Sequence, residues 1–376
     1  MTLYTDIPTR GELDALWSVT TPAAVTLYVP TDPASSGEAE RIAFKNLARE
    51  ALEQLAAADD AKQDVAAIEE ALGDLGEEDA DDGGFWRHQA RTLAVFATPG
   101  WVRTFRLPNH LGALAVGADR LYVKPLMRAV TFPQTAFLLA LAQGGVRLLE
   151  TVPDAAPAVV RVPDLPTDVA SAVGKSSIAD RAPVRRLQGS EGQKVRMRQY
   201  ARLVDAALRE VLPGHGVPLV LAATEPLDAI FRSVCRYPDL VPESVPGSPE
   251  DVSDVDLVAS ARAVLDRHHA AQLAELTALF EQRTGQNRTS TDVATVARLA
   301  TQGAVGTLFL DIDAVVPGTV DDDGAVTFAA ELGPGAIGVV DEIARRAWLS
   351  GARLVAVRRE DVPGGGDLAA ILRYPA

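Results

Sequence analysis

Residues 184–212, VRRLQGSEGQKVRMRQYARLVDAALREVL, form the stretch that decides how the chain is interpreted. The first part is rich in Gly, Ser and Gln, and it predicts a loop that includes residues 189–193. The second part predicts a helix of about five turns, which ends at Pro213 and Gly214. Apolar residues recur there at helical spacing and predict a face that packs on a domain: Met197, Ala201, Val204, Leu208 and Val211.

Basic residues are concentrated in the same stretch. Residues 181–209 contain eight basic and two acidic residues, a local charge of +6, whereas the whole chain carries −15. A basic island in an acidic protein predicts a surface that contacts phosphates. The alternative explanation is a solvated helix face preceded by a mobile loop.

Length and composition limit the classes of protein that this chain can represent. Its 376 residues predict two or three domains, and 47% hydrophobic residues are enough for well-buried cores. One cysteine, Cys235, excludes an intramolecular disulfide and fits a reducing cytoplasm. We expect neither a signal peptide nor a transmembrane helix, because the sequence shows no suitable apolar run. The net charge argues against general nucleic-acid binding, although residues 59–82 alone hold eleven acids and one base.

Taken in order, the chain predicts three α/β domains, at residues 1–133, 134–249 and 250–376. In the first, Thr9 and Glu12 predict a capping box, and residues 120–123 predict a strand. In the second, residues 143–145 predict the turn of a hairpin, and four prolines in residues 237–249 predict a linker. In the third, alternating helices and strands predict a three-layer α/β/α domain around a central sheet.

The order of these motifs resembles the archaeo-eukaryotic class-one peptide-chain release factors and Pelota. Gly192-Gln193, a basic helix and an apolar strand at residues 218–222 resemble the middle domain of release factors, where a Gly-Gly-Gln loop precedes an Arg-rich helix. Residues 284–308 resemble the C-terminal domain that release factors share with Pelota. The whole pattern is most similar to the bacterial archaeo-eukaryotic release factor family.

This resemblance implies a three-domain protein that enters the ribosomal A site, with an RNase H-like middle domain and a Pelota-like C-terminal domain. It implies a loop tip at Gly189, Gly192 and Gln193, with Gln193 as the catalytic residue if the protein hydrolyses peptidyl-tRNA. It also implies a set of residues that contact rRNA: Arg185, Arg186, Lys194, Arg196, Arg198 and Arg202. The expected partners are the ribosome and a translational GTPase such as EF-Tu, with no DNA or membrane partner.

Two departures from the release-factor pattern favour ribosome rescue or hibernation over ordinary termination. Glu191 stands where the first Gly of Gly-Gly-Gln would be, and a carboxylate is repelled by rRNA phosphates. Residues 1–133 also contain no clear Asn-Ile-Lys-Ser motif for reading stop codons. Two alternatives remain open from the sequence: a peptidyl-tRNA ester hydrolase that uses Gln193, and an interaction protein that acts away from the ribosome.

No other motif predicts a cofactor, a metal or another catalytic centre. His268 and His269 are neighbours on a predicted helix and do not share a face, so they favour a solvated pair over a metal site. Asp311 and Asp313 follow a strand and are more typical of a turn than of paired catalytic carboxylates. The glycines at 364–366 lack the Lys-Ser/Thr of a P-loop.

Overall fold

The computed structural model describes residues 5–56, 62–77, 84–133, 135–152, 156–172, 190–212, 217–333 and 336–375. The chain divides into two compact units. Pro133–Gln272 form one of them, which we call the middle unit. The described residues before 133 and after 272 form the other, which we call the terminal unit.

The first half of the terminal unit is an antiparallel sheet with helices on both faces. Its strands are β1 (Ala24–Pro30), β2 (Thr92–Thr98), β3 (Trp101–Leu107) and β4 (Leu114–Ala118). They lie in the order β3-β2-β1-β4. Its helices are α1 (Arg10–Trp17), α2 (Glu38–Ala56), α3 (Lys62–Glu77) and α4 (Met127–Thr131). The predicted capping box at the start of α1 is confirmed, since Thr9 and Glu12 exchange both of its hydrogen bonds.

The middle unit is a five-stranded sheet covered on both faces. Its strands are β5 (Ala136–Leu141), β6 (Val146–Thr151), β7 (Ala158–Val160), β8 (Leu219–Ala222) and β9 (Leu240–Val245), and its helices are α5 (Ser190–Val211), α6 (Leu227–Val234) and the start of α7 (Asp254–Thr284). The strand order is β7-β6-β5-β8-β9, with β5, β6 and β7 antiparallel and with β8 and β9 parallel to β5. This mixed sheet, with its first three strands in a meander, is the arrangement expected of an RNase H-like domain.

Each face of the middle sheet has its own apolar core. α5 and α6 cover one face, where Leu139 and Leu221 pack with Tyr200 and Phe231. The first half of α7 covers the other face, where Leu138 and Val220 pack with Leu257 and Val264. β5 and β8 are therefore buried on both sides, which explains their continuous apolar sequences.

The second half of the terminal unit is the predicted three-layer α/β/α arrangement. Its remaining elements are β10 (Thr289–Ser290), α8 (Val293–Thr301), β11 (Val305–Asp311), β12 (Gly318–Val320), β13 (Val326–Phe328), α9 (Val339–Leu349), β14 (Arg353–Val357) and β15 (Leu368–Leu372). The central sheet has the order β10-β15-β11-β14. α8 and α9 pack on one face, and the second half of α7 packs on the other through Leu276.

The two halves of the terminal unit share one apolar core. Phe96 and Met127 from the first half belong to the same buried cluster as Ile343 and Trp348 from the second half. The first half of α7 packs on the middle sheet, and the middle unit ends at Gln272. The division into three domains at 133 and 249 stays a prediction.

Two segments differ from their predicted structure. Residues 237–249, predicted as a linker, contain β9, which tolerates Pro242 because it lies at the edge of the sheet. Residues 120–123, predicted as a strand, lie outside the sheet, and the fourth strand is β4 at Leu114–Ala118. β4 gives a weak sequence signal because α2 packs closely on one side of it, where the small residues Ala115 and Gly117 lie. A Cβ at Gly117 would lie 2.2 Å from the carbonyl oxygen of Ala51. Within the described ranges, no helix is long and apolar enough to cross a membrane.

Candidate functional site: the cationic face of α5

Helix α5 is held on the middle sheet by an apolar stripe. Met197, Tyr200, Ala201, Val204 and Leu208 are each at most 2% exposed. They recur every three or four residues, so they lie along one side of the helix. The opposite side therefore faces solvent.

Three basic side chains form the charged part of that exposed side. Lys194, Arg198 and Arg202 are all exposed and are spaced by four residues, so they lie along one face. The face extends over roughly 12 Å along the helix axis at about 1.5 Å per residue. Arg196 is half-buried and lies on a different side of the helix, away from this row. We call Lys194, Arg198 and Arg202 the cationic face.

The loop predicted before the helix is partly wrong. α5 begins at Ser190, so Gly192 and Gln193 lie in its first turn and not at the tip of a loop. One glycine costs a helix only about 1 kcal/mol relative to alanine, and the stripe that follows offsets that cost by burial. The other predicted residues of this stretch, Gly189, Arg185 and Arg186, lie outside the described residues.

The carboxamide of Gln193 has a partner within the middle unit. Its Nε2 donates to Oε1 of Gln143, at 3.2 Å, in the turn between β5 and β6. The carbonyl of Gln143 in turn accepts from the backbone N–H of Val169, at 3.0 Å. The hairpin turn at residues 143–145 was predicted from its glycines. The contact between this turn and the start of α5 could not be predicted, because it depends on the order of the strands in the sheet.

Two buried polar groups mark the edge of the stripe. Tyr200 is fully buried, and burial, followed by the charges of Asp168 and Glu250, raises the pKa of its phenol well above the usual range. Asp205 shares the spacing of Arg198 and Arg202, but it is buried and accepts a hydrogen bond from the backbone N–H of Arg236 at 2.9 Å. It also pairs with Arg209, whose Nε lies 3.5 Å from Oδ2. The carboxylate of Asp205 is therefore engaged away from the cationic face.

Sequence reasoning missed two exposed apolar residues on α5. Val195 and Leu203 are 48% and 39% exposed, on the solvent side of the helix. Their exposure could have been inferred from the helical period, since neither position falls on the buried stripe. The exposed side of α5 therefore combines cationic and apolar groups.

The described part of the chain offers no metal centre, since no group of three or more His, Cys, Asp or Glu side chains is placed to hold an ion. Asp311 and Asp313 form a turn, in which the backbone N–H of Asp313 donates to the carboxylate of Asp311 at 3.1 Å. Asp311 also pairs with Arg359, whose Nε lies 3.3 Å from its carboxylate. These contacts give the carboxylate of Asp311 a structural role at this turn.

Residues 133–271 match the model of bacterial archaeo-eukaryotic release factor family 11. The resemblance inferred from the sequence is therefore confirmed for this segment, which contains all of α5. The matched residues end within one position of the border of the middle unit at Gln272. No curated protein matches the chain.

Several solved structures are similar to the chain at low identity. The archaeal translation termination factor aRF1 is 14% identical over 98% of this chain and 99% of that one, with a TM-score of 0.25. Archaeal Pelota, from a model of ribosome-bound Pelota and ABCE1, is 14% identical over 99% of this chain and 96% of that one, with a TM-score of 0.41. Dom34 of S. cerevisiae, a translation termination-like factor, is 8% identical over 73% and 74% of the two chains, with a TM-score of 0.45.

Proposed function

We propose that this protein, whose residues 133–271 match the model of bacterial archaeo-eukaryotic release factor family 11, binds the ribosome and acts in ribosome rescue or hibernation. The family supports a translation-related function. The observation that carries the finer proposal is the cationic face of α5, which stands out in a chain of net charge −15. An acidic protein that binds RNA must do so through a local basic surface, because its overall charge opposes the approach.

In this proposal, Lys194, Arg198 and Arg202 contact rRNA phosphates in the A site. Arg196, on a different side of α5, would make a separate rRNA contact, and Arg185 and Arg186 stay predicted rRNA contacts. The ribosome is the main partner, a translational GTPase such as EF-Tu is a second one, and the cytoplasm is the place of action. No cofactor is required for binding of this kind.

Charge reversal of the cationic face tests the proposal. We expect the double variant Arg198→Glu, Arg202→Glu to lose co-sedimentation with ribosomes at a salt concentration at which the parent still binds. Removal of two phosphate contacts should also lower the slope of log K against log salt by about 1 to 2. Sucrose-gradient profiles of growing and starved cells would then show in which of these two growth conditions the protein is bound to ribosomes.

A matched control is available on another helix. Lys45 and Arg49 on α2 are exposed and have the same spacing of four residues, so Lys45→Glu, Arg49→Glu changes the net charge equally. The control should keep co-sedimenting. If the parent and the α5 variant bound ribosomes equally, the cationic face would not be the ribosome contact.

Peptide release through Gln193 is a prediction that rests on the resemblance alone. In the structure, Gln193 is helical and its carboxamide is bonded to Gln143, so the residue is not presented as a free loop side chain. A release assay on ribosomes with bound peptidyl-tRNA would compare the parent with Gln193→Ala. Release by the parent that is lost in the variant would establish hydrolysis and overturn a purely binding role.

A further inference from the structure

Strand β3 is an edge strand of the terminal unit whose outward side is open among the described residues. It pairs with β2 from Thr98↔Trp101 to Thr92↔Leu107, and β2 is its only neighbour in the described sheet. The two strands are joined by the two-residue turn at residues 99–100, so the closing pair, Thr98 and Trp101, bonds across the ladder. Every second residue of β3 bonds inward, and the residues between them direct their backbone N–H and C=O groups outward.

The residues with outward backbone groups are Val102, Thr104 and Arg106. The N–H of Asp6 donates to the carbonyl of Arg106 at 2.8 Å, which fits this assignment. That contact occupies one end of the edge. The peptide groups of Val102 and Thr104 form the remaining outward row.

The opposite edge of the same sheet is closed by a side chain. Gln54 on α2 donates from Nε2 to the carbonyl of Ala115 at 3.1 Å, and its Oε1 accepts from the N–H of Gly117 at 2.9 Å. These are outward groups of β4, which the carboxamide satisfies as a neighbouring strand would. The fold therefore protects one edge specifically, and no comparable side chain lies on β3 among the described residues.

A groove runs beside the open edge, between β3 and α3. It is an open groove of about 730 Å³, with an apolar floor formed by Leu75, Phe85 and Val102 and with Asp74, Glu77 and Arg106 around it. Leu75, Phe85 and Val102 are half-buried, which leaves apolar surface available for contact. A groove next to an open edge supplies the two requirements for binding an extended peptide: a backbone ladder and pockets for alternate side chains.

The charges around the groove indicate which side chains would fit. Asp74 and Glu77 on α3 are exposed carboxylates. The guanidinium of Arg106 lies over the ring of Phe85, 4.8 Å from its centroid, and so is held against the floor. The rim that a bound peptide would meet is therefore mainly negative, which favours a basic side chain.

We propose that the open edge of β3 binds an extended segment of a partner protein, with apolar side chains at alternate positions and at least one Lys or Arg. The segment adds a strand next to β3, directs its apolar side chains to Leu75, Phe85 and Val102, and places its basic side chain near Asp74 and Glu77. This site lies in the terminal unit and is independent of the cationic face of α5.

Amide hydrogen exchange of the full chain, resolved to single residues, tests the proposal. The probe is an acetylated, amidated peptide Thr-Val-Lys-Val-Thr-Val-Lys-Val, and the matched control peptide has Glu in place of Lys. We expect saturating Lys peptide to slow exchange of the Val102 and Thr104 amides at least tenfold, and the Glu peptide to have no effect at the same concentration.

Two variants localise the binding. Thr104→Pro removes an outward N–H and leaves the hydrogen bonds to β2 intact, so it should lower the affinity for the Lys peptide at least tenfold. Thr104→Val keeps that N–H and should leave the affinity unchanged. The double variant Asp74→Lys, Glu77→Lys should lower the affinity for the Lys peptide and leaves the sheet unchanged. Its control is the double variant Glu69→Lys, Glu70→Lys, because these two residues are exposed on α3 and do not line the groove.

Three results would overturn the proposal. In the first, Val102 and Thr104 exchange as slowly as Arg103 and Phe105 without peptide, which would mean that the chain covers its own edge. In the second, their protection rises with protein concentration, which would make a second copy the occupant. In the third, peptide binding survives both Thr104→Pro and the double reversal on α3, or no protection of either amide is seen.

Discussion

At the scale of single residues, Glu342 is a charged group that connects the two halves of the terminal unit. It is 6% exposed, and three arginines surround its carboxylate. Nη1 of Arg120, from the first half, lies at 2.6 Å, and the Nε atoms of Arg345 and Arg346 lie at 2.9 and 2.6 Å. Burial by itself would raise the pKa of Glu342, but the hydrogen bonds from Arg345 and Arg346 and the charge of Arg120 lower it to about 2.

This lowered pKa predicts how the stability of the protein depends on pH. An unfolded Glu titrates near 4.5, so the carboxylate contributes its full stabilisation above that pH and loses it as the pH falls towards 2. Glu342→Gln should lower the free energy of unfolding at pH 7 by about 3 kcal/mol. Urea unfolding at several pH values should show the difference from the parent shrinking below pH 4.5.

The matched control is Asp119→Asn, which removes the exposed partner of the same Arg120. An exposed ion pair contributes at most about 1 kcal/mol, so its loss should be small at every pH. A Glu342→Gln protein as stable as the parent at pH 7, or a difference that does not change with pH, would show that the cluster adds no net stability.

At the scale of elements, the close packing of α2 on β4 depends on Gly117. A Cβ at this position would lie 2.2 Å from the carbonyl oxygen of Ala51 and 2.8 Å from Cγ of Leu55. Gly117→Ala must therefore move the helix backbone, and we expect a loss of about 2 to 4 kcal/mol in the free energy of unfolding. Gly100→Ala, where an added Cβ meets nothing within 4 Å, should stay within about 0.5 kcal/mol of the parent in the same urea titration. Equal midpoints for the two variants would mean that α2 can move away from β4 at little cost.

Elements with a strong apolar period were predictable from the sequence, and elements defined by their neighbours were not. The buried strands β1, β5 and β8 and the apolar stripe of α5 follow from periodicity alone. β9 was predicted as a linker because prolines normally interrupt strands, and its edge position removes that objection. The start of α5 was predicted too late because glycine and serine favour loops locally. Burial of the following stripe, which is a property of the whole unit, outweighs that preference.

At the scale of the whole molecule, the candidate site was predictable in its chemistry but not in its geometry. The sequence identified the basic residues of α5, since they stand out by number and spacing in an acidic chain. It could not show that Gln193 meets Gln143 or that Asp205 turns away to bind the backbone of Arg236, because both contacts depend on the order of the sheet. The open edge of β3 also depends on the order of the strands. The residues of β3 alone do not predict that it lies at an edge of the sheet.

Helix α7 decides where the middle unit ends. Leu257, Val258, Ala261 and Val264 on its first half cover the sheet face formed by Leu138, Ala140, Val220 and Ala222. We therefore expect the fragment 133–272 to fold cooperatively and the fragment 133–249, which ends at the predicted domain border, to leave that face uncovered. Circular dichroism should show a cooperative melting transition for the first fragment only, and the second should bind a hydrophobic dye.

The packing of α7 on the middle sheet can also be tested in the full chain, which keeps every domain border intact. Val264 is fully buried against the middle sheet, whereas Val255 on the same helix is 64% exposed. Val264→Ala should cost about 2 kcal/mol of unfolding free energy and Val255→Ala less than about 0.5 kcal/mol. If fragment 133–249 melted as cooperatively as 133–272, and the two valine variants were equally stable, the first half of α7 would not belong to the middle unit. The border predicted at residue 249 would then be the correct one.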